Sequence, residues 1–153
     1  MPTRAISFLK ERKIVFEVLP YDHLEKGAVF AAQAIGFELA KTIKTLVVTT
    51  ESRSFALALV PGSGQLSPKR LARAMGVKQI ALADTAAAER QTGYKVGGIS
   101  PFATQRRMPA VMDEKLLEYN QVAINAGQRG VMLIMAPAVV QKVLGAHIAS
   151  ITV

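Results

Sequence analysis

Residues 43–60 read IKTLVVTTESRSFALALV, and this stretch gives the clearest structural signal in the chain. Ile43–Thr50 and residues 54–60 are apolar and rich in side chains that favour strands. The polar connection between them, Glu51-Ser52-Arg53, is as short as a hairpin turn. The stretch therefore predicts an antiparallel pair of strands.

Helix signals lie on both sides of this hairpin. Ser67 followed by Pro68 is a typical N-cap and first helical residue, and Gly76 ends the helix that they begin. Asp84 caps a second helix, TAAAERQ, which ends at Gly93. Further helices are predicted over residues 3–12, residues 28–36 and Pro137–Leu144.

Short apolar segments predict the remaining strands, at residues 14–19, residues 79–83, Val122–Asn125, Val131–Met135 and the β-like residues 147–153. Because several strands are joined by turns of hairpin length, we expect a mixed or largely antiparallel sheet. Regular βαβ alternation is missing, which argues against a doubly wound nucleotide-binding fold. Repeats and linker-like stretches are also missing, so residues 1–153 are predicted to form one α/β domain.

The composition limits the chemistry that the chain can perform. It has 153 residues with no Cys, so disulfide scaffolds, cysteine-ligated metal sites and thiol nucleophiles are excluded. A metal site could use only His23, His147 and carboxylates. No Gly-x-Ser-x-Gly elbow, paired histidine motif or recognisable carboxylate constellation is present, which disfavours triad hydrolases and zinc hydrolases.

The charge points to a polyanionic partner. Lys and Arg number 19 against 11 Asp and Glu, a net charge of +8, and a basic surface gains affinity for phosphates through counterion release. A merely basic protein is the alternative. No apolar run approaches the roughly 18–20 residues that span a bilayer, so we expect a cytoplasmic protein without membrane contact.

Three segments contain the candidate functional residues. In GYKVGGISPF (residues 93–102), the adjacent glycines could turn backbone amides toward an oxyanion or a phosphate, although a plain loop fits the same pattern. Lys44 is either a solvated edge residue or a cation aimed into a pocket. The turn from Asn125 to Gly130 is either a plain hairpin turn or a phosphate contact through Arg129.

The three segments occur in the order IKTLVV (43–48), GYKVGGISPF (93–102) and INAGQRG (124–130). Together they resemble the YbaK/EbsC-like aminoacyl-tRNA deacylases, relatives of the editing domain inserted in bacterial prolyl-tRNA synthetases. The resemblance implies a single-domain α/β fold with a central mixed, barrel-like sheet surrounded by helices. It also implies hydrolysis of the ester that joins a wrong amino acid to tRNA, with tRNA(Pro) expected, and with no metal or other cofactor.

The same resemblance implies roles for individual residues. Lys44 would be the essential lysine, which anchors the terminal phosphate or ribose or stabilises developing charge. Gly97 and Gly98 would supply oxyanion-binding amides in the loop of residues 97–101, which surrounds the aminoacyl carbonyl. The expected substrate contacts are Tyr21, Phe30, Thr45, Ile99, Ser100, Pro101, Asn125 and Met132. A tRNA acceptor end would be held by the basic residues Lys69, Arg70, Arg73, Arg106, Arg107 and Arg129, although a solvated helix face explains the first three equally well.

The sequence departs from the cysteinyl-tRNA(Pro) deacylase pattern at the expected pocket. Asn125 stands where those enzymes have Ser, and Met132 stands where they have Asp. An expected aromatic residue after Tyr21 is replaced by Gly27 or shifted to Phe30. The more apolar pocket favours a different amino acid or abolishes editing.

The expected partners are the aminoacylated acceptor end of tRNA and prolyl-tRNA synthetase, with the chain as a monomer or a homodimer. Two other functions stay open at this stage. One is a non-catalytic RNA- or nucleotide-binding module of the same fold. The other is a regulatory domain that acts on a synthetase.

Overall fold

The structure is a computed structural model that describes residues 3–21, 32–33 and 35–153. The described helices are α1 (Arg4–Glu11), α2 (Pro68–Met75), α3 (Thr85–Thr92) and α4 (Pro137–Leu144). The described strands are β1 (Glu17–Pro20), β2 (Ile43–Thr50), β3 (Phe55–Pro61), β4 (Ile80–Leu82), β5 (Ala110–Asp113), β6 (Val122–Asn125), β7 (Val131–Met135) and β8 (His147–Ala149). Short 3-10 helices span Leu39–Lys41 and Glu114–Glu118.

The predicted hairpin forms the centre of a five-stranded sheet with the order β4-β2-β3-β5-β8. Its strands are antiparallel, with Ile43 opposite Pro61 and Thr49 opposite Phe55, which confirms the prediction. β4 pairs antiparallel with the end of β2, whereas β5 pairs parallel with both β3 and β8. The sheet is therefore mixed, as expected.

A second, three-stranded sheet has the order β1-β7-β6 and is antiparallel throughout. It meets the first sheet through an isolated bridge between Thr42 and Ala123. The mixed α/β fold with surrounding helices is confirmed, but the two sheets do not close into a barrel. One edge of β2 is paired with β4 from Val48 onward and bridged at Thr42, and no described strand pairs with the stretch between these contacts.

The core lies on both faces of the five-stranded sheet because side chains alternate along a strand. On one face, Val47, Leu57 and Leu59 pack with residues of α1, β6 and β7. On the other face, Val48, Ala58 and Val60 pack with Leu71 of α2 and Ile151. The hairpin thus separates two apolar clusters, and its edge lies between them.

The predicted helix caps are formed. The side-chain oxygens of Thr3, Ser67 and Asp84 each accept a hydrogen bond from the backbone N–H three residues later. These bonds satisfy donors that a helix start leaves without an intrahelical partner. The helix predicted over residues 28–36 lies largely outside the described residues.

Several predicted boundaries were wrong. β1 begins at Glu17 rather than at residue 14, because Lys13 takes a positive φ of 57° and the Ile14 N–H still bonds to the Leu9 carbonyl at the end of α1. Strand β5 was missed, since its four residues are all buried and give no alternation. In the β-like stretch 147–153, strand structure is limited to β8 and a bridge at Thr152.

The central hairpin should dominate stability. Leu59 is fully buried in β3, so Leu59→Ala should lower the free energy of unfolding by about 2–5 kcal/mol, measured by urea denaturation. Leu82→Ala is the matched control, because Leu82 is 63% exposed and its truncation should cost no more than about 0.5 kcal/mol. Equal losses at the two positions would contradict this assignment of the core.

Candidate active site

A cleft of about 330 Å³ opens along the unpaired edge of β2. Its wall is mainly apolar, and the polar side chains on it are few. The lining residues are Tyr21, Ile43, Lys44, Thr45, Leu46, Val47, Leu82, Ala83, Thr85, Ala88, Val96, Gly97, Ile99, Asn125 and Met132. Such a cavity, with a few convergent polar groups, is typical of a small-molecule site.

The cleft joins the three segments that the sequence singled out. Lys44 and Thr45 come from β2, Gly97 and Ile99 from the loop after α3, and Asn125 from the end of β6. Tyr21 and Met132 complete the predicted residues on its wall. Phe30, predicted to contact substrate, lies outside the described residues.

Lys44 is half-buried in the cleft wall, and its ammonium donates a hydrogen bond of 2.8 Å to the Gly64 carbonyl. An ammonium group has three donors. Among the described residues Gly64 is its one recorded acceptor, so two donors remain for a ligand. This position fits the prediction of a cation that lines a pocket.

Thr45 presents polar groups to the same edge. The Val47 carbonyl accepts from the Ala83 N–H, which shows that the backbone groups of alternate residues of β2 face away from β3. By this alternation the N–H and C=O of Thr45 also face the open edge. The Thr45 hydroxyl is buried and, among the described residues, has no hydrogen-bond partner.

The adjacent glycines let their loop pack against the turn that follows β6. Gly97 has a φ of 94°, which disfavours a side chain, and a Cβ there would lie 2.6 Å from the Arg129 Nε. A Cβ on Gly98 would lie 2.8 Å from the Arg129 backbone nitrogen. The loop and the turn therefore approach each other so closely that neither position leaves room for a side chain.

Side chains of the turn then fix the loop. Asn125 donates from Nδ2 to the Gly97 carbonyl at 3.1 Å and accepts from the Gly127 N–H at 2.9 Å. Arg129 donates from Nε to the Val96 carbonyl at 2.9 Å. Asn125, predicted only as a substrate contact, therefore also connects two walls of the cleft.

Three of the predicted loop residues do not line the cleft. The Gly98 N–H is occupied, since it donates to the Lys95 carbonyl at 2.9 Å. Ser100 is fully buried and accepts from the Phe102 N–H, and Pro101 is buried beside it. Within the described structure, the N–H groups of Gly97 and Ile99 have no recorded acceptor, so these two replace Gly98 as candidate oxyanion donors.

Two supports of this loop were missed by sequence reasoning. The Tyr94 hydroxyl donates to the Phe102 carbonyl, which closes the loop on itself. Arg4, from α1, donates to the carbonyls of Thr92 and Ala103, each at 2.9 Å, and its guanidinium lies 5.0 Å from the centre of the Tyr94 ring. The partners of Arg4 are about 90 to 100 residues away, which no local pattern reveals.

The predicted tRNA-contacting residues fall into separate groups. Lys69 and Arg73 are exposed on α2, whereas the guanidinium of Arg70 donates to the Thr152 carbonyl at 2.7 Å. Arg106 and Arg107 are exposed and follow the glycine loop, the segment of residues 93–102. Arg129 is held against that loop by its bond to the Val96 carbonyl. Arg70 and Arg129 thus have structural bonds in addition to any tRNA contact.

The described residues contain neither a metal-binding cluster nor a membrane-spanning helix. No group of three or more His, Asp or Glu side chains is placed to hold a metal ion. No helix in the described part of the chain is both long and apolar enough to cross a bilayer.

Comparison with known sequences places these features in a family. Residues 25–143 match the family described as the aminoacyl-tRNA editing domain. A relative from Enterococcus faecalis, EbsC, described as a candidate Cys-tRNA(Pro)/Cys-tRNA(Cys) deacylase, is 29% identical over 98% of this chain and 93% of its own length. A proline–tRNA ligase from Xanthomonas oryzae pv. oryzae is 29% identical over 72% of this chain, which corresponds to 19% of the ligase.

Solved structures show the same architecture. A candidate trans-editing enzyme for prolyl-tRNA synthetase has a TM-score of 0.89 at 27% identity, over 98% of this chain and 95% of that chain. A hypothetical protein has a TM-score of 0.91 at 23% identity, over 99% of this chain and all of its own. The second likeness concerns the fold alone.

The support that Tyr94 gives to the loop should weaken at alkaline pH. Burial raises the pKa of Tyr94 above its ordinary value of 10.0, against the opposing effect of the nearby Arg4. The stabilisation is therefore fully present below about pH 10, where the unfolded chain begins to ionise, and is lost as the pH rises through the folded-state pKa.

Thermal unfolding of the unmodified protein and of Tyr94→Phe, followed from about pH 8 to about pH 12, checks this expectation. The Phe variant should be less stable at the lower pH, and the difference should shrink above about pH 10. Tyr21 and Tyr119 are present in both proteins, so they cancel in the comparison. A difference that is constant over the whole range would remove Tyr94 ionisation from the account.

Proposed function

The chain belongs to the aminoacyl-tRNA editing domain family, and from this premise we propose that it is a trans-acting deacylase of mischarged aminoacyl-tRNA. The convergence of Lys44, the Gly97 loop and Asn125 on one cleft carries the proposal. The relatives named above support tRNA(Pro) as the first tRNA to test. Such a substrate implies a cytoplasmic enzyme whose partners are aminoacylated tRNA and, through it, prolyl-tRNA synthetase.

The lining of the cleft suggests which amino acid is removed. Met132 and Ile99 give it an apolar wall, and none of its described lining residues is acidic. A positively charged substrate side chain would lose its hydration there without gaining a partner of opposite sign, and a negatively charged one would compete with the phosphate or ribose that we assign to Lys44. We therefore propose a small uncharged amino acid, such as cysteine or alanine, as the group that is removed.

The proposed reaction is hydrolysis of a carboxylic ester. Water attacks the ester carbonyl carbon, and the carbonyl oxygen takes up the negative charge of the tetrahedral intermediate. The bond to the ribose oxygen then breaks, and that oxygen gains the proton lost by the water. The products are the free amino acid and tRNA with a free terminal hydroxyl. Because an ester is already activated, positioning and oxyanion stabilisation supply most of the acceleration.

Groups of this chain are available both to position the substrate and to stabilise the oxyanion. The N–H groups of Gly97 and Ile99 would stabilise the oxyanion, since both residues line the cleft and neither N–H has a described acceptor. The two remaining donors of Lys44 would hold the terminal phosphate or ribose. The proton would pass through groups of the substrate itself, such as the neighbouring ribose hydroxyl. We accordingly expect the rate to persist after chelation of divalent metals.

A panel of labelled aminoacyl-tRNAs tests the proposal directly. The purified protein should hydrolyse tRNA(Pro) charged with cysteine or alanine faster than buffer does, and should leave Pro-tRNA(Pro) intact. Loss of label from tRNA in acid-precipitated samples measures the rate. Salt-sensitive tRNA binding without hydrolysis would instead support a binding module. Absence of both binding and hydrolysis would contradict a tRNA-directed function.

Lys44→Ala should lower kcat/KM for the best substrate by about 100-fold or more, the size of effect seen when one stabilising donor is removed. Lys142→Ala is the matched control, because Lys142 is exposed on α4 and is not among the lining residues. It should retain the original rate within about twofold, by analogy with other surface substitutions. An unchanged rate in Lys44→Ala, with an unchanged melting temperature, would exclude this lysine from the mechanism.

A further inference from the structure

The residues that follow β8 form a network that reaches Lys44. Thr152 pairs with Leu66 in an isolated antiparallel bridge. The Ser67 N–H donates to the Ile151 carbonyl at 2.7 Å, and the Val153 N–H donates to the Gln65 carbonyl at 2.9 Å. Residues 151–153 therefore hold residues 65–67, the end of the loop that joins β3 to α2.

Gly64 connects this network to the cleft. A Cβ built on Gly64 would lie only 3.3 Å from the Cγ2 methyl of Thr152, so the two residues are in close contact. The carbonyl of the same Gly64 accepts the 2.8 Å hydrogen bond from the Lys44 ammonium. Thr152 thus packs against the residue that holds the lysine.

A buried carboxylate anchors the far side of the network. Asp113, at the end of β5, is fully buried. Its Oδ2 accepts from the Thr152 hydroxyl at 2.9 Å and from the Ile151 N–H at 3.1 Å, and its Oδ1 accepts from the Lys115 N–H. Lys115 also donates from Nζ to the Thr152 hydroxyl at 3.0 Å. Burying a carboxylate is costly unless it is hydrogen-bonded, and these bonds compensate for it.

Arg70 adds a further restraint from α2. Its guanidinium donates to the Thr152 carbonyl at 2.7 Å. Thr152 is therefore held through its hydroxyl, its carbonyl and its methyl group, and it is fully buried. So many restraints on one residue leave little freedom for Gly64, which packs against it.

We propose that Thr152, held by Asp113 and Arg70, is a positioning residue that sets the location of the Lys44 ammonium through the Gly64 carbonyl. The inference rests on the proposed function for its effect on catalysis, but not for its effect on Lys44 itself. It also gives Arg70 a task other than a direct tRNA contact. None of the residues 150–153 is among those that line the cleft.

Two substitutions disturb the contact between Gly64 and Thr152, one at each residue. Gly64→Ala crowds the Thr152 methyl, and Thr152→Val removes the hydroxyl that Asp113 binds. Each should lower kcat/KM for deacylation by about tenfold, part of the roughly 100-fold that a misplacement of 1 Å can cost. Adding Thr152→Ser to Gly64→Ala removes the crowded methyl and keeps the hydroxyl, so the double variant should regain most of the lost rate. Ser63→Ala, in the same loop and exposed, is the control.

The NMR signal of the Lys44 ε-carbon gives a readout that does not need activity. It is identified in protein with ¹³C-labelled lysine by its disappearance in Lys44→Arg. The signal should shift in Gly64→Ala and Thr152→Val, and return toward its original position in the Gly64→Ala/Thr152→Ser variant. Melting temperatures show that each variant is folded.

The outcomes separate the two proposals. An unmoved Lys44 signal in folded Gly64→Ala and Thr152→Val would overturn the positioning role, whatever the rates. If the unmodified protein hydrolyses no aminoacyl-tRNA, the proposed function fails, and a shifted and restored Lys44 signal still supports the positioning of the ammonium by Thr152.

Discussion

The unpaired edge of β2 is the constraint on which the candidate site depends. β4 pairs with this strand from Val48 onward, and the bridge to β6 lies at Thr42. Between these contacts, the N–H and C=O of Thr45 face an edge on which no described strand pairs with them. An exposed strand edge is ordinarily an aggregation hazard. Here the edge lies in the wall of a cleft that Lys44 and the loop residues Gly97 and Ile99 also line.

The opposite wall of the cleft depends on close packing between the glycine loop and the turn that follows β6. Gly97 and Gly98 press against the turn after β6, and side chains of that turn bond back to the loop. The Gly98 N–H donates within its own turn, whereas the N–H groups of Gly97 and Ile99, two residues that line the cleft, have no recorded acceptor in the described structure. Both glycines therefore serve packing, and Gly97 also keeps an N–H that has no recorded acceptor among the described residues.

Three of the arginines also have a structural role inside the protein. Arg4 joins α1 to the carbonyls of Thr92 and Ala103, Arg129 donates to the Val96 carbonyl, and Arg70 donates to the Thr152 carbonyl. Arginine suits such work because its planar group offers several donors in fixed directions. These arginines keep their positive charge, but donors that already bond to carbonyl groups are not free for direct contacts with a polyanion.

Local sequence patterns determined the hairpin, the caps at Thr3, Ser67 and Asp84, and the three segments of the candidate site, because strand propensity, capping and glycine-rich turns are all properties of neighbouring residues. Those patterns could not reveal β5, whose four buried residues show no alternation, nor the burial of Asp113. They also could not show that Ser100 and Pro101 are buried away from the cleft, or that the Lys44 ammonium binds the Gly64 carbonyl. Only the tertiary structure decided these points, because each depends on contacts between residues far apart in the chain or on the path of a loop across its neighbours.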